Sequence, residues 1–150
     1  MDIVDFIEAV QRIDVEKAAN ETINFTSKEL ADLNREQLAK GIRADNELVH
    51  WLKDGHYPYT KQYATFKANK FGGNTSVVDL NLGKKFIESI KAELKGEEIE
   101  FEGTSRMAQY LEPNYSSEIY GLTDDNLEKY TEKTFEPKFF DEIGKQSGLF

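Results

Sequence analysis

The chain has no cysteine among its 150 residues. Disulfides, thiolate metal sites and cysteine nucleophiles are therefore excluded, which fits a reducing compartment. Basic residues are also scarce: 19 Lys and Arg stand against 28 Asp and Glu, a formal charge of −9. That balance argues against salt-driven binding to nucleic acid and against anionic membranes. No stretch approaches the ~20 apolar residues a membrane helix needs. The opening "MDIVDFIEAV" lacks the basic region, apolar run and small-residue site of a secretory signal. The expectation is a soluble chain made in the cytoplasm.

What the chain has is aromatic side chains, ten Phe and seven Tyr. A disordered chain would hold fewer. The length fits one domain, and folding at this size hides roughly 70% of the unfolded surface. We read a single domain over 1–150, with a helical arm (1–40), a contact-loop region (41–76) and an α+β core with a C-terminal helix (77–150).

Residues 2–23 read as one long amphipathic helix. Ile3, Phe6, Ile7, Val10 and Ile13 share a face, and Asp2 and Asp5 suit its first turn. Past Val15 the apolar stripe thins, so that half is expected to be exposed or to touch a partner. "TSKE" at 26–29 reads as a capping box that opens a second helix through Leu30, Leu33 and Leu38, stopped at Gly41. "LVHWL" at 48–52 reads as a short strand. The aromatic, basic stretch 54–76 reads as an ordered contact loop, with one helical turn near 60–67.

"VVDLNL" alternates like a strand, with Leu80 and Leu82 on one face, and breaks at Gly83. Phe86, Ile87 and Ile90 share a helical face. A hairpin then turns at Gly96-Glu97, with Ile99 and Phe101 on one side and Glu98, Glu100 and Glu102 on the other. Met107, Tyr110 and Leu111 predict a short helix ended by Pro113, and Gly121 punctuates the next segment. Thr123 caps a last helix, which Pro137 bends and whose apolar face Phe139, Phe140 and Ile143 complete. The fold class is α+β: a long N-terminal helix, a small, mostly antiparallel sheet with a strand–turn–short helix–hairpin unit, and a C-terminal helix.

Chemical motifs are few. His50 and His56 have neither helical metal-pair spacing nor a third ligand nearby and read as ordinary loop histidines. The acidic clusters "DNE" (45–47) and "TDDN" (123–126) lack the calcium-loop pattern and read as turns and caps. "KFGGN" (70–74) lacks the ending of a phosphate loop. Ser76, Ser89 and Ser105 have no nucleophile-elbow frame. "KQYATFKANKF" interleaves basic and aromatic residues, as nucleic-acid platforms do, but reads in this acidic chain as a contact loop. No catalytic residue, metal site or cofactor is predicted.

"DLNLGKKFIESI" resembles the strand–turn–helix signature of tail-completion and neck proteins of tailed bacteriophages. "GIRADNELVHWL" and "YLEPNYSSEIYGLTDDNLEKY" are similar to segments of such proteins in Bacteroidetes phages, including crAss-like ones. The resemblance spans roughly residues 40–130. It departs at "LGKKF", which lacks the family's threonine and leaves Asn81 to cap the short helix. It implies a non-enzymatic structural subunit of the virion: a homo-oligomeric ring at the head–tail joint. Such a ring contacts portal or adaptor and tail proteins, and packaged DNA passes its lumen without specific binding.

On that reading Leu80, Leu82, Gly83, Phe86, Ile87, Ile90, Ile99, Phe101, Tyr110, Leu111 and Gly121 form the motif's core. Val10 and Ile13 of the long helix, which needs a neighbour to pack on, and Tyr57, Tyr59, Tyr63, Phe66 and Phe71 of the loop, since aromatics favour interfaces, are candidate contacts between subunits. Two alternatives come from other classes. One is a small acidic binding or inhibitor module, such as a DNA mimic, presenting Glu98, Glu100 and Glu102. The other is a carboxylate-dependent hydrolase using His50 or His56.

Overall fold

The computed structural model describes residues 1–50, 61–70, 80 and 85–150, with the side chains of 61–64 left aside. The expected α+β architecture is observed. Helices α1 (Ile3–Gln11), α2 (Val15–Phe25) and α3 (Ser27–Ala39) lead to α4 (Lys61–Lys70) and the short α5 (Lys85–Ser89). An antiparallel hairpin of β1 (Ile90–Lys95) and β2 (Glu98–Gly103) follows. Then come α6 (Ala108–Tyr115), a 3-10 turn (Ser117–Ile119), α7 (Asp124–Tyr130), a π turn (Thr131–Phe135) and α8 (Glu136–Ser147).

The long first helix is in fact two. Asp2 and Asp5 cap α1 reciprocally, and the chain leaves the helix after Gln11. The Asp14 carboxylate accepts from the Lys17 N–H (3.0 Å) and starts α2. A side-chain acceptor of this kind satisfies one of the N–H groups a helix start leaves unpaired. The packing is also the reverse of what the apolar stripe predicts. The helix without the stripe is the packed one: α2 lies on α8 and buries the small residues Ala18 and Thr22.

The capping box at 26–29 does not form. Thr26 makes no side-chain cap bond. Its hydroxyl instead donates back to the Thr22 carbonyl (2.7 Å), as the Thr22 hydroxyl does to Ala18 (2.7 Å). Such back-bonding bends helices. α2 and α3 are accordingly a bent continuation through Thr26, with helix-type bonds on both sides of it. α3 ends as expected, with Gly41 in the left-handed region (φ 72).

Several elements differ from expectation in extent. The helical turn near 60–67 is a ten-residue helix, α4. Of the strand expected at "LVHWL", residues 48–50 are described, and only an isolated bridge forms, Ile42 to Leu48. The expected strand 77–82, with Leu82, Gly83 and Asn81, lies outside the described residues except at Leu80. There φ is +55, a left-handed conformation no strand adopts. Ile90 does not extend the helical face of Phe86 and Ile87, because α5 stops at Ser89 and Ile90 opens β1. Pro113 sits inside α6. The left-handed Ser116 (φ 87) ends that helix. Pro137 does interrupt the C-terminal helix. It lacks an N–H and crowds the carbonyl four residues back, and the chain widens into the π turn just before it.

Two apolar clusters meet along α3. The first holds Leu38, Val49, Leu80, Phe86, Ile90 and Leu111, with Ile87 and Tyr120 against it. The second holds Leu30, Ala31, Ala92 and Tyr130, with Ile99, Phe101 and Phe135 against it. Ile99 and Phe101 were expected beside Phe86 but belong to the second cluster. The register explains this: Phe101 faces Ala92 and Ile99 faces Leu94, beyond the end of the hairpin that Phe86 reaches. Tyr110 and Phe140, expected in the core, are 54% and 56% exposed.

Candidate contact surfaces

The face with most to offer a partner is α1. Its capping box fixes its N-terminus from within, yet only Ala9 is buried. Ile3, Val4, Phe6, Ile7 and Val10 are all exposed, from 71% at Ile3 to 43% at Val10. Ile13 in the following link is half-buried. The link that follows it is tied down at Asp14, the N-cap of α2, whose N–H donates to Gln146 Oε1 of α8 (2.6 Å). Contiguous exposed apolar side chains of this kind mark interaction surfaces.

Phe66 of α4 is exposed, with Lys70 Nζ 5.5 Å from its ring centre. Phe25 at the end of α2 is also exposed, and Lys138 Nζ stands 4.0 Å over its ring. Tyr57, Tyr59 and Phe71, and the Tyr63 side chain, lie outside the described residues.

The segment carrying the "IYGLTDDN" pattern is held by α3. The Asn34 amide donates to the Ile119 carbonyl (3.0 Å) and accepts from the Gly121 N–H (3.3 Å). Gln37 donates to the Gly121 carbonyl (3.2 Å) and accepts from the Thr123 N–H (2.9 Å) and Asn126 Nδ2 (3.0 Å). Both amides are buried and would be costly unpaired. Gly121, with φ 106, takes a conformation an L side chain rarely adopts. Arg35 does similar work at the α5–β1 junction, donating to the carbonyls of Ile87 (3.1 Å) and Ile90 (2.5 Å). Sequence periodicity does not reveal Asn34, Arg35 and Gln37, because polar residues on a helix read as solvent-facing.

The two acidic clusters come together. A cleft of about 320 Å³ is lined by Ala44, Asp45, Asn46, Thr123, Asp124 and Asp125. Arg43 bonds bidentately to Asp45, and its hydrogen bond holds the Asp45 carboxyl below the usual aspartate range. The Thr123 hydroxyl accepts from the Asn126 N–H (3.3 Å), the expected cap. Among the described residues no group of three His, Asp or Glu side chains has metal-binding geometry. His50 Nδ1 lies 3.0 Å from the Leu48 carbonyl, and His56 lies outside the described residues. Tyr120 is raised above the usual phenol range, by burial first and then by its bond to Glu112 (2.8 Å).

Comparison with protein-family models, curated proteins and solved structures gave no match.

Proposed function

We propose that this chain is a structural assembly subunit that works by surface contact: a component of the ring joining the DNA-filled capsid of a tailed bacteriophage to its tail. The observation that carries the assembly role is α1, a self-capped helix whose five large apolar side chains face solvent. The virion assignment rests on the resemblance of "DLNLGKKFIESI" and "YLEPNYSSEIYGLTDDNLEKY" to neck and tail-completion proteins. The buried amides of Asn34 and Gln37 agree with a structural reading of the second segment, since they spend its polar groups on holding the backbone.

In this role copies of the chain repeat head to tail by rotation, which closes into a ring. Portal or adaptor proteins lie on one side and tail proteins on the other. A net charge of −9 suits a channel wall past which DNA moves without adhering. Imaging of purified particles tests the proposal. It expects the protein at the head–tail joint, in a symmetric ring with α1 between subunits. Absence from particles, or α1 facing solvent in the assembled ring, would overturn it.

A further inference from the structure

The hairpin has an open edge, and the register says which peptide groups lie on it. The Thr104 N–H donates to the Ser89 carbonyl (3.3 Å), and Ile90 then faces Gly103, Lys91 faces Glu102, and so on to the turn. Bonded and non-bonded pairs alternate along an antiparallel ladder. The pairs 91/102, 93/100 and 95/98 therefore bond to each other across the hairpin. The N–H and C=O groups of Ile99 and Phe101 point the other way, out from β2. Among the described residues nothing hydrogen-bonds to them. The rest of the periphery is better covered: α3 packs along β1, Arg35 takes the Ile90 carbonyl, and a Cβ at Gly103 would fall 2.8 Å from the Tyr120 hydroxyl.

The charge on this edge selects its partner. Glu98, Glu100 and Glu102 stand in a row on the exposed face of β2. Glu93 lies directly opposite Glu100, and like charges so placed repel. Lys95 reaches diagonally to Glu100 (2.9 Å), while Glu98 and Glu102 form no ion pair among the described residues. Two copies of β2 laid edge to edge would set glutamate beside glutamate. Charges of one sign guard an edge against its own kind in this way and leave it open to a strand of the opposite sign.

We propose that β2 is a strand-addition site for an extended, basic segment of a partner protein. The segment bonds through its backbone to the peptide groups of Ile99 and Phe101. It places Lys or Arg at alternate positions beside Glu98, Glu100 and Glu102, and apolar residues between them beside the half-buried Ile99 and Phe101. The site is independent of the α1 surface and of the virion assignment.

The test is amide hydrogen exchange by NMR on the full chain, titrated with an end-blocked peptide of about ten residues alternating lysine with valine or threonine. In the free protein the amides of Ile99 and Phe101 exchange fast and those of Glu100 and Glu102 slowly. With peptide, Ile99 and Phe101 slow by about tenfold or more. A peptide with glutamate in place of lysine produces no slowing. One N-methylated at alternate residues, unable to pair by its backbone, also produces none, even though its charge is unchanged. The Glu98→Gln/Glu102→Gln variant weakens binding and its salt dependence. Unchanged exchange at Ile99 and Phe101, or equal binding of the N-methylated peptide, would overturn the proposal. Equal binding of the glutamate peptide would overturn the charge selection.

Discussion

The Thr26 hydroxyl and the Tyr130 phenol lie 2.7 Å apart in the core and join positions 104 residues apart in sequence. The Thr26 proton goes to the Thr22 carbonyl, so the phenol is the donor between them. The bond ties the α2–α3 bend to the end of α7. Burial dominates the Tyr130 environment and raises its phenol above the usual range.

Two substitutions at this pair are therefore unequal. Thr26→Val leaves a buried phenol without an acceptor and is expected to cost about 1–3 kcal/mol. Tyr130→Phe removes the donor and leaves Thr26 still bonded to Thr22, a cost nearer ~1 kcal/mol. Glu29→Ala is expected to fall within about 0.5 kcal/mol of wild type, because no capping box forms. Urea unfolding of the three variants checks this. A loss at Glu29 comparable to that at Thr26 would restore the capping box.

Phe86 is 2% exposed, and its ring stands 6.2 Å from that of Tyr120. Phe86→Ala should cost about 3–5 kcal/mol, roughly 10 °C in Tm at this chain length. Gly103 supplies the space the ring occupies: a Cβ there would lie 2.7 Å from Phe86 Cε2 and 2.8 Å from the Tyr120 hydroxyl. Gly103→Ala is expected to destabilise by about 1–3 kcal/mol through overpacking. In the Phe86→Ala background the same change should cost less, with the Tyr120 hydroxyl contact still left to relieve, which a double-mutant cycle by thermal unfolding would read. Equal costs in both backgrounds would place the clash elsewhere.

The acid limb of the stability curve should report Asp45. Its folded carboxyl is held low, chiefly by the hydrogen bond from Arg43. A depressed folded value means its stabilisation is present above the unfolded aspartate range, about 3.9, and is lost as pH falls through the folded value. The side chain is 33% exposed, so solvent screening reduces the effect. Wild type should exceed Asp45→Asn in Tm at neutral pH, and the gap should close below about pH 4. High salt should narrow it at neutral pH. A gap that is constant with pH would detach Asp45 from the acid transition.

The hairpin was legible because alternation and Gly96-Glu97 act locally: Gly96 takes φ 62, and every β2 side chain falls on the face that alternation predicts. The Thr123 cap and the Pro137 interruption are local as well. What sequence missed depends on partners far along the chain. Thr26 looked like a cap because its Tyr130 contact is invisible at short range. Asp14 was hidden inside a helical period, although Asp followed by Glu16 is itself a helix-start signal. Asn34 and Gln37 looked solvated because their partners lie some 85 residues on. The α1 stripe was read correctly as apolar, but the half beyond Val15, expected to be exposed or to touch a partner, is the one packed on α8, since periodicity identifies a face and not what covers it.

That stripe sets the last expectation, the strength of assembly. Fully burying one such side chain is worth about 1.5–3 kcal/mol. Five of them, each roughly half exposed already, would gain about 5 kcal/mol gross by the same measure. Bringing two proteins together costs an estimated 4–15 kcal/mol before any gain shows. A single α1 contact therefore leaves two free subunits at best marginally associated, whereas a ring assembled on a partner surface adds contacts on both sides of each copy. The isolated chain should sediment as a monomer at micromolar concentration and enter rings only in the presence of its template. Ile7→Glu should leave the monomer's Tm within about 2 °C of wild type, as exposed positions do, and abolish incorporation into particles. A stable oligomer in free solution would mean that surfaces other than α1 carry the assembly. Normal incorporation of Ile7→Glu would remove α1 from the interface.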